Sequence, residues 1–483
     1  MNIVFYDFET TGRNKWFDQI IEVGAILVDG DLNEKDRIQL RCQIKPGVVP
    51  SAAALLINKT SVSSLLKESR SHYQMIEELR SKFLEWSPAI FVGWNTIKFD
   101  EDLLRQALFQ NLRPPYLTNT HGNQRADIFP VAHAMSVFSP NSIVVPRKDD
   151  GKPSFKLDDI ARANGVTDFE AHSAIGDVKA TIEMAKLCRE KAPAVWERAR
   201  IAMDLNKIKE TVQKEKFLCF FTFFFNKPQV YAGAYTGKNK RNEKEIALFD
   251  LKYDPEELFD SSVENLKKEI TGTRRKIRTV SINKFPILME GKYAENNNKE
   301  YRDIGVAVLE ERAQKVRENQ NFHEKVGEAL ALQLEERIEE GAQKPKYLEE
   351  RLYDGFASKR DEYLEDQFHE AKWDEKLGIC SDIEDDRLRR YGKRIIFYES
   401  RDSLPPKVRK EVEEDIWMRA RGIAEGDESK KPDELQSQFS KSMKELDDER
   451  ESAFKENDQD KLDRLEEIDQ FYIDLQKQYE NLS

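Results

Sequence analysis

Two carboxylates stand at alternate positions where the first apolar run of the sequence ends. Asp7 and Glu9 lie at the end of residues 1–8, whose β-branched and aromatic side chains predict a strand. Residues two apart on a strand point to one face, so both acids should converge at the edge of a hydrophobic core. A divalent cation such as Mg²⁺ would relieve their repulsion, because it prefers carboxylate oxygens. Ordinary solvated acids at a strand end are the alternative.

A third acid follows a predicted strand-to-helix junction. The apolar run 89–93 is typical of a buried strand, and helical spacing begins after Asp100. Asn95 and Phe99 precede this acid in the pattern Asn-x-x-x-Phe-Asp. A helix N-cap would also explain an aspartate at this position, and a turn would explain the asparagine.

A histidine and a fourth acid surround the start of another predicted helix. His172 comes just before the helical pattern 174–188, and Asp177 lies inside it. One helical turn plus a residue would let both reach the same cleft. An imidazole can accept a proton near neutral pH, which suits a general base. A capping or surface histidine is the alternative.

Composition limits the class of protein. The chain has 483 residues, which predicts two to four domains, and its net charge is −12. The four cysteines are scattered without a CxxC pair, which argues against zinc and against a disulfide framework. No apolar run is long enough to span a bilayer, and Met1 leads directly into a strand, so we expect neither a membrane segment nor a signal peptide. A cytoplasmic protein is the simplest interpretation.

The three motifs, in this order and spacing, resemble the DEDDh superfamily of 3′→5′ exonucleases. The resemblance implies that Asp7, Glu9, Asp100 and Asp177 are the metal ligands and that His172 is the general base. Two Mg²⁺ ions, with Mn²⁺ as a substitute, would then support hydrolysis of a phosphodiester. We expect the neighbouring carboxylates to raise the pKa of His172.

Other segments are similar to bacterial exonuclease I over nearly the whole chain. They are residues 93–100, 149–165, 281–288 and 352–356. The resemblance implies an α/β RNase H-like exonuclease domain at 1–193, an SH3-like β-barrel domain at 194–345 and an α-helical C-terminal domain at 346–483. It further implies a C-shaped monomer that degrades single-stranded DNA processively to 5′-mononucleotides, in DNA repair or recombination.

The resemblance also suggests substrate contacts and rival functions. Thr10, Thr11, Asn95 and Phe99 would position the 3′ nucleotide, although turn or core roles also explain them. The stretch 18–25 is closer to the proofreading branch, so an exonuclease that prefers mismatches or RNA is one rival. A catalytically silent scaffold that binds single strands is a rival from a different class.

The middle of the chain carries an aromatic run and two basic clusters. Residues 217–225 predict a core strand, with a platform for stacked bases as the alternative. The clusters at 238–244 and 274–278 could bind phosphates or the acidic tail of single-stranded DNA-binding protein, or could be exposed loop charge. A further basic turn lies at 389–394 in an otherwise acidic region.

The remaining patterns complete the predicted architecture. Strands at 20–28 and 37–44 would form an antiparallel meander with the first strand. Strands at 230–234, 245–251 and 280–288 would build the middle domain, after a helical connector at 194–214. Helices at 387–397 and 435–479 are expected near the C-terminus.

Overall fold

A computed structural model describes residues 1–224, 227–341, 347–426, 433 and 437–480. The predicted boundary between 345 and 346, residue 225 of the aromatic run and the start of the predicted helix 435–479 therefore lie outside the described residues. Within the described part of the chain, no helix has both the length and the apolar character needed to cross a membrane.

The N-terminal region is built on a five-stranded mixed sheet in the order β3-β2-β1-β4-β5. Its strands are β1 (Asn2–Thr10), β2 (Ile20–Val28), β3 (Glu34–Arg41), β4 (Ala89–Gly93) and β5 (Gln124–Asp127). The first three pair antiparallel, which confirms the predicted meander, and β4 then pairs parallel to β1 and β5. The third strand begins and ends three residues earlier than the predicted 37–44.

Helices cover both faces of this sheet. They are α1 (Ala52–Ile57), α2 (Val62–Lys67), α3 (His72–Trp86), α4 (Asp100–Gln110), α5 (Ile128–Phe138), α6 (Leu157–Ala163) and α7 (Ala174–Lys191). The start of α7 lies directly against β2. A Cβ atom added to Gly24 would come 2.5 Å from the backbone of Ala174 and Ile175, so only glycine allows this approach. This contact sets the position of the helix that carries Asp177.

The middle region is a second, antiparallel sheet in the order β10-β6-β7-β8-β9. Its strands are β6 (Leu218–Phe224), β7 (Lys227–Lys238), β8 (Glu245–Asp250), β9 (Ile277–Ser281) and β10 (Met289–Glu290). The prediction of one strand over 280–288 is wrong, because a turn after Ser281 separates β9 from β10. The predicted connector is two helices, α8 (Pro193–Ala202) and α9 (Leu205–Lys214).

Further helices pack around the second sheet. They are α10 (Glu256–Phe259), α11 (Val263–Thr271), α12 (Lys292–Asn297), α13 (Lys299–Ile304), α14 (Val306–Glu318) and α15 (Gln320–Gly341). Both α14 and α15 pack on β7, and their buried side chains join those of the sheet in one core.

The C-terminal region is helical, as predicted. Its helices are α16 (Lys359–Glu370), α17 (Lys376–Asp382), α18 (Asp386–Glu399), α19 (Pro406–Trp417), α20 (Gln438–Glu456) and α21 (Gln459–Glu480). The prediction of one helix over 435–479 is wrong, because Asn457 takes φ 54° and separates α20 from α21. This region packs on the N-terminal region: the carboxylate of Glu445 accepts hydrogen bonds from Ser51 Oγ and the Ala52 N–H, both at 3.0 Å.

Candidate active site

Three of the predicted acids meet at one end of the first sheet. Ligand oxygens of Asp7, Glu9 and Asp177 lie within 4.8 Å of one another. Asp7 and Glu9 point to the same side of β1, as their spacing predicts, and Asp177 reaches them from the first turn of α7. The close contact of α7 with β2 at Gly24 is what brings the third carboxylate to the two on the strand.

The fourth acid is buried beside this group. Asp100 is the first residue of α4 and is only 4% exposed. It is not part of the 4.8 Å group, but its charge raises the pKa of both Asp7 and Glu9. The backbone N–H of Phe8 favours the charged form of Asp100, so β1 holds this carboxylate close to its own two.

The negative charge of the four acids is offset by little positive charge nearby. Burial, then repulsion among the carboxylates, raises the pKa of Asp7 well above its usual value and that of Glu9 to about 8. Burial likewise raises the pKa of Asp177 to about 7 and that of Asp100. The cation that acts on Glu9 is Arg41, which lies 3.0 Å from the carboxylate of Glu22 instead.

A hard divalent cation fits this donor set. All the converging atoms are carboxylate oxygens, which Mg²⁺, Mn²⁺ and Ca²⁺ prefer, and neither cysteine nor histidine belongs to the group of three. Bound positive charge would also relieve the repulsion that raises the pKa values of these acids.

The predicted general base lies on the loop before α7. His172 takes φ 64°, and its backbone N–H favours the charged form of Asp177. Its side chain is exposed. The expectation that carboxylates raise its pKa is wrong: burial, the largest effect, lowers the pKa, and Lys59 and Lys156 oppose the one attraction, from Asp158. The imidazole is therefore neutral near pH 7, as a proton acceptor must be.

The predicted substrate residues are mostly engaged within the protein. Thr10 Oγ1 donates to the carbonyl of Gly12 at 2.6 Å, and Thr11 Oγ1 donates to Asp18 at 3.0 Å. Asn95 takes φ 65° in the turn after β4, and Phe99 packs partly against the core on that side of the sheet. Their proposed contacts with a nucleotide stay predictions.

Sequence reasoning missed two residues that hold this end of the sheet together. Tyr6 and Glu101 are the neighbours of Asp7 and Asp100, and the Tyr6 hydroxyl donates to Glu101 at 2.8 Å. Glu101 is 1% exposed and lies 3.1 Å from Arg125, so it ties β1 to α4. The position of Glu101 next to a candidate ligand was the available signal, but an acid in the first helical turn looks like an ordinary capping charge.

A third missed residue shapes the turn that follows β4. Asp127 is 2% exposed and accepts hydrogen bonds from the N–H groups of Asn95, Ile97 and Phe129 at 2.8–3.2 Å. It thereby fixes the loop that leads to Asp100. Its position at the end of the short strand β5 gave no distinctive pattern in the sequence.

The aromatic run serves mainly as structure. Residues 217–220 are buried in the second sheet, which confirms the predicted core strand there. Phe221 and Phe223 are half-buried and pack against Phe138 and His133 of α5, with ring centroids 5.6 and 4.4 Å apart. These rings join the second sheet to the first region, while Phe224 is 65% exposed.

Most charges of the basic clusters are paired within the protein. Lys238, Lys240 and Arg241 each contact glutamates of the same region. Arg278 lies 3.3 Å from the buried carboxylate of Asp250. The basic turn at 389–394 is likewise paired with acids of its own region. Pairing within the protein therefore accounts for much of this charge.

Comparison with known proteins gives two family matches. A family model described as Exonuclease matches residues 4–185, and one described as Exonuclease I SH3-like domain matches residues 204–331. Both regions of the chain are therefore similar to domains of the exonuclease I family. The acid cluster lies within the exonuclease match, and the second sheet lies within the SH3-like match, which confirms the fold class expected for this family.

Curated relatives carry the same family name. Exodeoxyribonuclease I of Buchnera aphidicola subsp. Schizaphis graminum is 27% identical over 244 residues, which cover 50% of this chain and 48% of that protein. Exodeoxyribonuclease I of Escherichia coli K12 is 24% identical over 346 residues, covering 67% of this chain and 71% of that protein. The match thus spans about half the length of the Buchnera relative.

Solved exonuclease I structures share the fold over nearly the whole chain. Exonuclease I from Methylocaldum szegediense matches with a TM-score of 0.80 at 20% identity, covering 98% of this chain and 99% of that one. Escherichia coli exonuclease I in complex with a dT13 oligonucleotide matches with a TM-score of 0.78 at 21% identity and the same coverage. The likeness includes the helical C-terminal region, which lies outside both family-model matches.

Proposed function

We propose that this protein is a Mg²⁺-dependent 3′→5′ exonuclease that degrades single-stranded DNA to 5′-mononucleotides. The observation that carries the proposal is the convergence of Asp7, Glu9 and Asp177, with Asp100 beside them, inside a domain of the exonuclease family. Four buried or half-buried carboxylates with little compensating charge are costly for a fold, and the cost is understandable if their task is to hold cations.

The four acids would hold two Mg²⁺ ions, with Mn²⁺ as a substitute. Such ions lower the pKa of water and neutralise charge on the phosphate and on the leaving oxygen. His172 would accept the proton of the attacking water, because its lowered pKa keeps it neutral and its exposed side chain is open to solvent. Tyr6 and Glu101 would keep Asp7 and Asp100 at a fixed separation.

Single-stranded DNA is the proposed substrate because the curated relatives and the solved structures that resemble this chain both point to it. Family members carry the name exodeoxyribonuclease I, and solved relatives include complexes with dA and dT oligonucleotides. Regions 1–193, 194–345 and 346–483 would form a C-shaped monomer around the strand and make degradation processive. We place this activity in the cytoplasm, in DNA repair or recombination.

From the same comparison we also propose a protein partner, single-stranded DNA-binding protein. One solved relative is described as an SSB/exonuclease I structure. The acidic tail of single-stranded DNA-binding protein would need cations that are not already paired, so the candidates in the two basic clusters are those that form no ion pair with a carboxylate among the described residues. They are Lys244, Arg274 and Arg275.

The test is release of nucleotides from matched oligonucleotides labelled at either end. With Mg²⁺, single mononucleotides should leave the 3′ end of single-stranded DNA, and EDTA should stop the reaction. If RNA is cleaved as fast as DNA, the proposed substrate changes from single-stranded DNA to RNA. Tight binding of the strand without cleavage would mean that the acids are relics and that the protein is a scaffold.

A further inference from the structure

A polar cavity of about 90 Å³ lies where the exonuclease domain meets the C-terminal helices. Lys45 and His72 line it from the exonuclease side. Tyr391, Arg394 and Arg419 line it from the helical side. The cavity is distinct from the acid cluster, because none of the four carboxylates proposed as metal ligands contributes to its wall.

Two of the three cations around this cavity have no ion-pair partner among the described residues, although Glu349 and Glu399 also line it. Arg394 is satisfied, since it lies 2.7 Å from Glu349 and 2.8 Å from Asp415. Lys45 instead donates to the neutral amide oxygen of Gln110 at 2.8 Å. Arg419 donates to Gln438 at 3.1 Å. Among the described residues, neither Lys45 nor Arg419 has a carboxylate oxygen within 4.0 Å.

The pKa shifts of Lys45 and Arg419 are consistent with their lack of an ion-pair partner. Burial, the largest effect, lowers the pKa of Lys45 to about 8; the charges of Arg394 and Arg419 add to the shift, while Cys42 and Glu349 oppose it. Burial also lowers the pKa of Arg419, against the attraction of Glu349 and Asp18. Arg419 additionally stacks over Phe17, with its guanidinium carbon 4.6 Å from the ring centroid, which fixes the plane of the fork.

An unpartnered polar atom faces the same space. Tyr391 is 2% exposed, and its hydroxyl has no hydrogen-bond partner in the described structure. Buried hydroxyls are nearly always satisfied, so an unsatisfied one in a cavity wall points to a missing partner.

We propose that this cavity binds one small oxyanion of phosphate size, held by Lys45, Arg419 and the hydroxyl of Tyr391. A planar guanidinium and an ammonium are the groups that bind phosphate-type oxygens, and a hydroxyl adds one more donor. The volume suits such an ion, because it equals several waters at ~10–15 Å³ each, whereas a nucleotide would not fit.

The position of the cavity gives the ion a structural consequence. Its proposed ligands come from both sides of the contact between the exonuclease domain and the C-terminal helices. A bound ion would therefore hold the two together and would stabilise the folded chain by mass action. Phe17, which lines the cavity, belongs to the loop after Thr10 and Thr11, so the ion would also order that loop.

Titration calorimetry of the full chain with inorganic phosphate tests the proposal. The protein is kept in EDTA so that metals at the acid cluster cannot recruit the anion, and ionic strength is held constant with chloride. We expect one phosphate per chain. Arg419→Gln should weaken binding about tenfold, because a charge-assisted contact is lost, and Arg419→Lys should restore part of it.

Two further variants keep the test decisive if Arg419→Gln folds poorly. Tyr391→Phe retains the ring and removes only the hydroxyl, so binding should weaken while the fold remains. Lys359→Gln is the matched control, because the Lys359 side chain is 93% exposed and does not line the cavity. The proposal is overturned if wild-type protein binds no phosphate, as a cavity that holds only water would. It is equally overturned if Tyr391→Phe and Arg419→Gln bind as tightly as the control. None of these readouts uses nuclease activity, so the proposal stands or falls separately from the proposed function.

Discussion

Two regions of this molecule bury charge in opposite ways. Beside β1, four acids crowd together, and burial with mutual repulsion raises their pKa values. In the C-terminal helices, Arg394 lies between Glu349 and Asp415, and its charge holds the pKa of both acids below the usual range. The second group neutralises itself and needs nothing further. The first lacks such internal partners, and this difference is the reason we propose it as the cation-binding site.

The largest effect should follow from removing one acid of the first group. Asp7→Asn keeps the size of the side chain but removes a charge, and nuclease activity should fall on the order of 10³-fold or more. Stability of the metal-free protein should not fall, because the change relieves repulsion. Activity on a 3′-labelled strand and urea unfolding in EDTA measure the two. Asp374→Asn, at an exposed position, is the control; equal activity in both variants would remove Asp7 from the site.

Removing Arg394 from the second group should have the opposite effect on stability, because the charges of that group balance one another. Arg394→Met removes the ion-pair partner of Glu349 and one of the two arginines that pair with Asp415, which keeps Arg390 at 2.5 Å, so the free energy of unfolding should fall by about 3 kcal/mol. Lys299→Met breaks an exposed ion pair with Asp303 and should cost about 0–1 kcal/mol. Urea unfolding in EDTA compares them. Similar losses in the two variants would mean that the Arg394 group does not differ from surface charge.

The histidine beside the first group should matter for the reaction and little for the fold. His172→Ala should slow nucleotide release by about 10²-fold, because it removes the proposed proton acceptor. Binding of Mn²⁺ should be retained, since the four acids remain. His121→Ala changes an exposed histidine elsewhere and serves as the matched control. Full activity of His172→Ala would assign proton removal to another group.

A smaller effect is expected from a neutral buried group at the helical contact. His369 lies between the Tyr73 hydroxyl at 2.9 Å and the Leu112 carbonyl at 3.1 Å. Burial lowers its pKa to about 4; nearby Glu77 opposes this shift, while Arg113 and Lys376 add to it. The folded state therefore favours neutral imidazole. Its contribution to stability is full above the unfolded pKa of about 6.5 and is lost as pH falls towards 4.

Replacing this histidine should flatten the acid side of the stability profile. Between pH of about 7 and about 5, wild-type protein should lose roughly 2 kcal/mol more than His369→Gln. Urea unfolding at the two pH values measures the difference, with His121→Gln as control. Equal losses in His369→Gln and wild type would show that this imidazole is not held neutral by the contact.

The convergence of the acids was predictable because their spacing coincides with secondary structure. Asp7 and Glu9 share a face of β1 for the same reason that any alternate residues do, and Asp177 falls in the first turn of a helix with clear periodicity. The antiparallel meander and the helical C-terminus also followed from periodicity. Each of these features depends on a few neighbouring residues.

The rest depends on contacts between segments that are distant in sequence. Tyr6 and Glu101 are 95 positions apart, and Glu101 alone looks like a capping acid. The pKa of His172 depends on Lys59, Lys156 and partial burial, so counting nearby carboxylates gave the wrong direction. The turn between β9 and β10 interrupts an apolar segment for which the sequence pattern predicted a single strand. Pairing of the basic clusters likewise required knowing which acids fold against them.

The most direct measurement of the central claim is the number of Mn²⁺ ions bound per chain, by electron paramagnetic resonance. The claim is that the acids at the end of the first sheet exist to hold divalent cations. Wild-type protein should bind two Mn²⁺ ions per chain. Asp7→Asn should lose at least one of these ions, whereas Asp374→Asn should lose none. Binding that is absent in wild type, or unchanged in Asp7→Asn, would contradict the account.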